Sequence, residues 1–382
     1  MQLRSALFAL LFFVAVSQAR INIPHKLVEA IASSFYDLDH LPPPAEYKFD
    51  QESQVAQEDE DESAEYESDL LPDEVEQSMT KNAAAEEPLD LAPADFEDNS
   101  RRFLRKPCLV KRKNRQYNFV KTYPRPWEHD GFEASLPKEF DWRNVNGVNY
   151  CSPNRNQHIP VYCGSCWVFG STGALNDRFN IARKNRWPMT MVSPQEIIDC
   201  NGHGTCQGGE VADVYEYAKT HGLVEEGCNN YKAINEKCDP FHRCGSCWPD
   251  NCFAIQNYTR YYIKDWGKVS GRENMMAEIQ SRGPIACTIG ATPKFELNYT
   301  SGVYSEKSNL AFNHIVSVSG WGVDAETNNE YWIVRNSWGE AWGERGWYRV
   351  VTSTFQNGQG NDYNMGIEKE CYYVDPDVSN LD

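Results

Sequence analysis

Long apolar runs are scarce in this 382-residue sequence, and none reaches the roughly 20 residues that a membrane-spanning helix requires. The longest run, Ala6 to Val16, follows the basic residue Arg4 and precedes the small residues of Ser17-Gln18-Ala19. A basic start, a short apolar core and a small-residue exit are typical of a secretory signal peptide. We therefore predict a signal peptide over residues 1–19 and no membrane span.

Basic residues are nearly absent from residues 50–98, where nineteen acidic residues accompany a single base, Lys81. The net charge of this segment is −18, which equals that of the whole chain, so the remaining residues sum to zero. The segment is nearly free of aromatic residues, and it cannot bury enough apolar surface to offset its ordering entropy, so we expect disorder. A solvated spacer is favoured over a specific acidic binding element. Because no large basic face remains, nucleic-acid binding is not expected.

The rest of the chain divides into a basic segment and a packed domain. Residues 99–135 are basic and contain Cys108, and the packed domain is predicted from Leu136 onward. The sequence Ser193-Pro194-Gln195-Glu196 predicts a helix start with a capping box and a proline at the first helical position. Residues 206–252 are predicted to be rich in loops. Three later runs have β character: Ile315 to Val318, Tyr331 to Val334 and Trp347 to Val351. A helical half followed by a β half predicts an α+β domain.

The chain has 13 cysteines, which in an oxidising compartment are expected to be mostly disulfide-bonded. Because 13 is odd, at least one cysteine lacks an intramolecular partner. Cys166 is the obvious candidate, since a catalytic thiol must be free in an active enzyme. The sequence alone does not assign the pairing of the other twelve.

A cysteine, a histidine and an asparagine form the candidate catalytic set. Cys166 begins an apolar pattern that continues at helical spacing through Leu175 and Phe179. A thiol at a helix N-terminus lies at the positive end of the helix dipole, which favours the nucleophilic thiolate. His314 follows Cys166 by 148 residues and Asn336 follows His314 by 22. These residue types could serve as a nucleophile, a base and a residue that orients the base.

Two other interpretations of the cysteine motif were weighed. Cys163-Gly-Ser-Cys166 could be a thioredoxin-like redox pair, but no βαβ pattern flanks it. The same five letters recur at Cys244 to Trp248, where they lead into a turn and predict a structural disulfide. Two Cys-x-x-Cys pairs also suggest zinc, but their wide separation and the secretory context argue against it. No metal or organic cofactor is therefore expected.

These motifs resemble those of a known family. Cys-Gly-Ser-Cys-Trp at 163–167, His314 and Asn-Ser-Trp-Gly at 336–339 resemble the papain-like cysteine proteases. His-Ile-Pro at 158–160 resembles an insertion of the cathepsin X branch, also called cathepsin Z. The resemblance implies a papain-like fold, with a helical left subdomain, a β-barrel-like right subdomain and the active-site cleft between them.

The resemblance also implies a role for each catalytic residue. Cys166 would be the nucleophile, His314 the base and Asn336 the residue that fixes the imidazole tautomer. Papain relatives supply an oxyanion donor from a glutamine six residues before the cysteine, where this chain has Pro160. Gln157, displaced by the three-residue insertion, is therefore assigned as that donor.

Substrate-binding residues follow from the same resemblance. In the cathepsin X branch the insertion closes the primed side of the cleft, where His158 would bind the terminal carboxylate of a substrate with help from Tyr162. Gly208 and Gly209 would allow close approach of extended substrate backbone. Trp338 would shield the hydrogen bond between the catalytic histidine and asparagine from water.

A propeptide is implied as well. It would cover residues 20–135, and the enzyme would cover residues 136–382. In zymogens of the cathepsin X type a propeptide cysteine bonds to the catalytic one, so Cys108 would cap Cys166. Cys151 is extra relative to the family and could capture Cys108 instead.

The resemblance implies five further disulfides within the enzyme. They are Cys163–Cys206, Cys200–Cys238, Cys228–Cys244, Cys247–Cys252 and Cys287–Cys371. Asn257 and Asn298 each lie in an Asn-x-Thr acceptor sequence for N-glycosylation.

We therefore expect a monomeric cysteine-type carboxypeptidase, made as a zymogen, that removes single C-terminal residues from peptides and proteins with free C-termini. Its expected location is the secretory pathway, in the lysosome or outside the cell. An endopeptidase or a dipeptide-releasing enzyme is the alternative within proteolysis. A catalytically silent adhesion or matrix protein on a protease scaffold is the alternative of another class. The complete candidate catalytic set argues against a catalytically silent protein.

Overall fold

The computed structural model describes residues 106–112, 117, 119, 121 and 124–381. The predicted signal peptide over residues 1–19 and the predicted disorder over residues 50–98 lie outside these residues. In the described part of the chain, no helix combines the length and the apolar character needed to cross a membrane.

The α-helices of the described residues are numbered in chain order. They are α1 (Cys166–Ala182), α2 (Pro194–Cys200), α3 (Val211–His221), α4 (Pro240–Arg243), α5 (Arg272–Arg282), α6 (Pro293–Asn298) and α7 (Phe355–Gly358). The prediction of a loop-rich stretch over residues 206–252 misses α3, which lies inside it. The helix α1 is buried from Cys166 to Asn180, so it forms the centre of the helical half.

The start of α2 agrees only partly with the predicted capping box. Pro194 is the first helical residue, and the Ser193 hydroxyl accepts a 3.0 Å hydrogen bond from the backbone N–H of Glu196. The Glu196 carboxylate does not return to the Ser193 backbone but accepts a hydrogen bond from the Tyr217 hydroxyl. The helix is therefore capped by the serine alone, and its glutamate contributes to packing between α2 and α3.

The strands belong mostly to one sheet. They are β1 (Phe140–Asp141), β2 (Gly245–Trp248), β3 (Asn251–Ala254), β4 (Tyr262–Val269), β5 (Ile285–Ile289), β6 (Val303–Tyr304), β7 (His314–Val323), β8 (Glu330–Arg335), β9 (Trp347–Val351) and β10 (Cys371–Asp377). The large sheet has the order β4-β10-β5-β7-β8-β9-β6, and β1 pairs with β7. The strands β2 and β3 form a separate hairpin, so the second Cys-Gly-Ser-Cys-Trp copy lies in a hairpin rather than at a helix start.

Two hydrophobic cores support the two halves. One surrounds α1 and includes Trp167 and Phe179, and the other lies in the sheet half and includes Trp321 and Phe295. The halves meet where α1 packs against β7. At Gly170 a Cβ atom would lie 2.7 Å from the Ile315 side chain, so glycine permits this close approach. The predicted α+β fold is confirmed, and this contact brings the start of α1 to the start of β7.

Candidate active site

Cys166 is the first residue of α1 and is fully buried. Its sulfur forms a disulfide with Cys108, and the two Cα atoms are 5.8 Å apart. The two sulfurs and a ring nitrogen of His314 all lie within 4.8 Å of one another. Because both sulfurs belong to a disulfide, this group offers no thiolate to a metal ion. The site therefore juxtaposes the candidate nucleophile and the candidate base, and the thiol of the candidate nucleophile is blocked by the disulfide.

His314 begins β7 and lies between the disulfide and Asn336. Its Nδ1 is 3.5 Å from the Cys108 sulfur, and its Nε2 is 2.8 Å from the Asn336 Oδ1. The same Oδ1 accepts a hydrogen bond from the backbone N–H of Ser337, so it faces two donors. This arrangement suits a proton on Nε2 and leaves Nδ1 directed at the sulfurs. The Trp338 ring stacks on the imidazole with centroids 4.7 Å apart.

Gln157 is 1% exposed, and its amide is held at both ends. Its Nε2 donates to the Cys163 carbonyl at 3.0 Å, and its Oε1 accepts from the Ser337 hydroxyl at 2.7 Å. An amide nitrogen carries two hydrogens, so one remains available after the bond to Cys163. These two hydrogen bonds fix the amide with its nitrogen directed at Cys163.

The sequence did not predict the residues that hold the backbone around Gln157 and Ser165. The Tyr231 hydroxyl donates to the backbone carbonyl of Gln157 at 2.7 Å. It also lies 2.7 Å from the hydroxyl of Ser165, the residue before Cys166. Arg155 forms a two-fold ion pair with Glu226 at 2.7 and 2.6 Å. Tyr231 and Glu226 are 74 and 71 residues from their partners, and no local motif marks such contacts.

The His-Ile-Pro insertion projects at one end of the cleft. Ile159 is 61% exposed and Tyr162 is 47% exposed. The His158 ring stacks on the Tyr162 ring with centroids 4.5 Å apart and an interplanar angle of 7°. His158, Tyr162 and His314 line one pocket, so the His-Ile-Pro stretch lies next to the candidate base His314.

Residues 106–112, which we call the upstream segment, run through the cleft. Leu109 pairs in parallel with Gly209. The Gly209 N–H donates to the Cys108 carbonyl at 3.1 Å, and the Val110 N–H donates to the Gly209 carbonyl at 3.1 Å. Gly208 has a φ of +122°, and a Cβ atom there would lie 2.5 Å from the Val110 side chain. Both glycines therefore contact extended backbone, here that of the chain itself.

A second attachment of the residues before Leu136 is the buried side chain of Arg125. Its guanidinium pairs with Asp375 at 2.5 Å and with Glu278, and it lies 3.7 Å from the centre of the Tyr373 ring. Arg178 shares both carboxylates, at 2.8 Å from Glu278 and 3.3 Å from Asp375. Burial alone lowers the pKa of Arg125, but Glu278 and Asp375 outweigh it and raise that pKa, so the residue stays charged. The sequence Tyr123-Pro124-Arg125-Pro126 does not reveal this network.

The remaining disulfides are those that the family resemblance implies: Cys163–Cys206, Cys200–Cys238, Cys228–Cys244, Cys247–Cys252 and Cys287–Cys371. Cys151 is free and buried, so the alternative of a Cys108–Cys151 bond does not match the structure. Burial, together with the Asp177 carboxylate, raises the pKa of the Cys151 thiol well above its usual value. A neutral thiol in such a place is unreactive.

The two glycosylation acceptors, Asn257 and Asn298, are both exposed. Asn298 is the last residue of α6, and Asn257 lies in the loop between β3 and β4. Both side chains are therefore accessible from solvent.

The sequence matches a known family over more than half of its length. A family model described as "Papain family cysteine protease" matches residues 136–374. Cathepsin Z of Onchocerca volvulus is 54% identical over 257 residues, which cover 67% of this chain and 83% of that protein. Cathepsin L2 of Homo sapiens is 33% identical over 224 residues, which cover 56% of this chain and 61% of that protein.

Solved structures give the same result for the fold. The digestive procathepsin L2 proteinase from Tenebrio molitor larval midgut matches with a TM-score of 0.55 and 25% identity, over 79% of this chain and 88% of that chain. The bromelain protease from Ananas comosus, in complex with the E64 inhibitor, matches with a TM-score of 0.50 and 26% identity, over 63% of this chain and 99% of that chain.

Proposed function

Since this chain belongs to the papain family of cysteine proteases, and its cathepsin X-like character is confirmed, we propose that it is a carboxypeptidase that removes single C-terminal residues. The family and the cysteine-type peptidase activity are the premise. The restriction to C-termini, the zymogen state and the location in the cell are the proposal.

In the proposed reaction the Cys166 sulfur attacks the carbonyl carbon of the last peptide bond of the substrate. His314 first accepts the thiol proton and then donates it to the departing amine. The developing oxyanion accepts hydrogen bonds from the Gln157 amide and the backbone N–H of Cys166. Water then hydrolyses the thioester, with His314 as the base, and Asn336 keeps the imidazole oriented throughout.

The position of His158 is the observation that carries the restriction to C-termini. Its ring lines the same pocket as His314 and is held flat against Tyr162. An imidazole can donate a hydrogen bond to a carboxylate, and this bond is stronger when the ring is protonated. The exposed insertion around Ile159 would also obstruct a substrate that continues past this point. Both effects favour a substrate that ends one residue after the cleaved bond.

The chain is proposed to be a zymogen, with residues 20–135 as its propeptide. The bond to Cys108 removes the Cys166 thiolate, and the upstream segment covers Gly209. Activation then requires thiol–disulfide exchange, in which two external thiols become a disulfide and the two cysteines become thiols. Removal of the propeptide by proteolysis would complete it.

The six disulfides are typical of a protein that passes through the secretory pathway. Within that pathway we place the active enzyme in the lysosome or outside the cell, with glycans on Asn257 and Asn298. Its partners are peptide and protein substrates with free C-termini, and it acts as a monomer.

The test is mass spectrometry of the products from matched peptides that end in a free carboxylate or in an amide. Reduced, processed wild-type enzyme is expected to remove one residue from the free acids and to cut the amides at least tenfold more slowly. Internal cuts, or equal rates on both series, would contradict the proposal.

The variant His158→Ala assigns the carboxylate contact. We expect roughly tenfold or greater loss of kcat/KM on free acids, because one charge-assisted hydrogen bond contributes about 1.5–3 kcal/mol, and little change on amides. Tyr162→Phe, which keeps the stacked ring and removes the hydroxyl, serves as the matched control and should lose less. An equal loss on both substrate series in His158→Ala would remove the assignment.

A further inference from the structure

Adjacent basic side chains of the upstream segment, Lys111 and Arg112, are bound by residues of the protease domain. Three carboxylates form what we call the acidic recess: Glu210, Asp213 and Glu370. All three belong to the part of the chain that remains after removal of residues 20–135. The occupied recess therefore shows which chemistry this end of the cleft accommodates.

The Lys111 ammonium occupies the first part of the recess. It forms an ion pair with Glu370 and lies 5.4 Å from the centre of the Phe312 ring. The Tyr372 hydroxyl donates to the other oxygen of Glu370 at 2.7 Å. Partial burial acts to raise the pKa of Glu370, but hydrogen bonds from Lys111 and Tyr372 outweigh it and lower that pKa. A carboxylate beside an aromatic face is a suitable site for a cation.

The Arg112 guanidinium occupies the second part. It donates to the His203 carbonyl and lies 3.7 Å from the Asp213 carboxylate, whose side chain is fully buried. The Arg112 backbone N–H donates to Glu210. Asp213 belongs to α3 and Glu210 is its N-terminal cap, which directly follows Gly209 in sequence.

Removal of the upstream segment takes the Lys111 and Arg112 cations away from the three carboxylates. The Lys268 ammonium, which belongs to the protease domain, stays 3.4 Å from Glu370. The recess therefore becomes more negative by two charges. Taking two cations away from buried or half-buried carboxylates is costly, so a basic substrate side chain would be stabilised here.

The course of the upstream segment tells which part of a substrate reaches the recess. The backbone N–H of Lys106 donates to the Tyr162 hydroxyl at 2.6 Å, Cys108 bonds to Cys166, and Val110 lies at Gly209. In the proposed function the C-terminus of a substrate lies at the Tyr162 end. The residues before the cleaved bond must then extend past Gly209 toward the recess.

We propose that the acidic recess selects substrates with lysine or arginine two or three residues before the cleaved bond. This inference rests on the proposed function for the direction of the substrate. The basic pair of the upstream segment occupies the site that such substrates use, so it acts as an internal competitor.

The test uses reduced, processed enzyme and free-acid peptides in which the second or third residue before the cleaved bond is leucine, lysine or glutamate. Wild-type enzyme is expected to cleave the best lysine peptide with about fivefold or more higher kcat/KM than its leucine counterpart. Glutamate should be worse than leucine. Raising the salt concentration to about 0.5 M should shrink the lysine preference, because the recess is partly exposed and its charges become screened.

The variant Glu370→Gln should lower the lysine-to-leucine ratio of kcat/KM about fivefold, because only the lysine peptide loses a charge partner. Asp213→Asn tests the second part of the recess in the same way. Glu273→Gln, at an exposed glutamate at the start of α5, removes the same charge elsewhere and should leave the ratio unchanged. A wild-type ratio near one, or equal losses on both peptides in both recess variants, would overturn the proposal.

The position of the cut is recorded separately by mass spectrometry. A lysine preference combined with internal cuts would support selection by the acidic recess and contradict the restriction to C-termini. Removal of single residues without a lysine preference would contradict selection by the recess and support the proposed function.

Discussion

Replacing Gln157 by alanine tests the proposed oxyanion donor most directly. The side chain is 1% exposed and is fixed by Cys163 at one end and by the Ser337 hydroxyl at the other. A donor held in this way needs no reorganisation when charge develops on the substrate oxygen. The variant removes the donor without touching the nucleophile or the base.

The expected effect follows from that preorganisation. Loss of one oxyanion donor costs about 3–4 kcal/mol of transition-state stabilisation, or roughly 100- to 1000-fold in kcat. KM should change little, because the donor acts on charge that the bound substrate has not yet developed. Ser337→Ala removes only the hydroxyl that orients the amide, a neutral hydrogen bond of about 1 kcal/mol, so roughly fivefold is expected.

The assay is steady-state hydrolysis of a free-acid peptide by reduced, processed enzyme. The concentration of reactive Cys166 is measured with an active-site thiol reagent, so that kcat refers to intact nucleophile. Gln256→Ala, at an exposed glutamine, is the matched control and should behave like the wild type. Unfolding in urea then shows whether the buried site has tolerated the change.

A kcat for Gln157→Ala within about fivefold of the wild type, with normal thiol labelling, would refute the assignment. It would mean that the three-residue displacement has moved the glutamine away from the reacting carbonyl. A larger loss in Ser337→Ala than in Gln157→Ala would also contradict the reasoning, because the hydroxyl acts only through the amide.

Three further predictions concern the unprocessed protein. In Cys108→Ser, Cys166 should react with iodoacetamide without prior reduction, as measured by peptide mass spectrometry. A Cys166 thiol that stays blocked in this variant would contradict the proposed blocking role of the Cys108–Cys166 bond. Arg125→Met should lower the free energy of unfolding in urea by about 3 kcal/mol, because it leaves Glu278 with one buried cation fewer. An unchanged urea midpoint would mean that Arg125 does not stabilise the fold. Burial raises the pKa of Glu196 from 4.5 to about 7, so the folded protein keeps a proton that the unfolded chain releases, and stability falls as pH rises from about 4.5 to 7. Glu196→Gln should remove this decrease in the free energy of unfolding, which is about 3 kcal/mol between the two pH values. If the variant shows the same pH dependence of stability as the wild type, another group is responsible.

The candidate catalytic set could be predicted because each member carries a local signal. Cys166 opens an apolar pattern at helical spacing, and His314 and Asn336 lie in short motifs at a spacing typical of the family. The structure brings all three together. The disulfide partners, by contrast, came from the resemblance, because spacing alone does not choose among pairings.

Contacts between distant residues could not be predicted in this way. Ser337 and Tyr231 hold Gln157 from 180 and 74 residues away, and the partners of Arg125 lie 153 and 250 residues further along the chain. The helix α3 is a different case. Its buried residues Val211, Val214, Tyr215 and Ala218 have helical spacing, but the glycines and cysteines around them masked the signal.

Cys108 and Arg125 attach the same stretch of chain at two points, one by a covalent bond and one by charge. When a thiol reduces the Cys108–Cys166 bond, the ion pairs of Arg125 keep the Cys108 sulfur close to Cys166. Its effective concentration there is on the order of millimolar. Once an outside disulfide has formed a mixed disulfide with Cys166, the Cys108 thiolate displaces the outside thiol intramolecularly, and it does so faster than a dilute outside thiol can. In the proposed zymogen, activation by reduction alone is therefore reversible, and a cut between Cys108 and Arg125 would make it permanent.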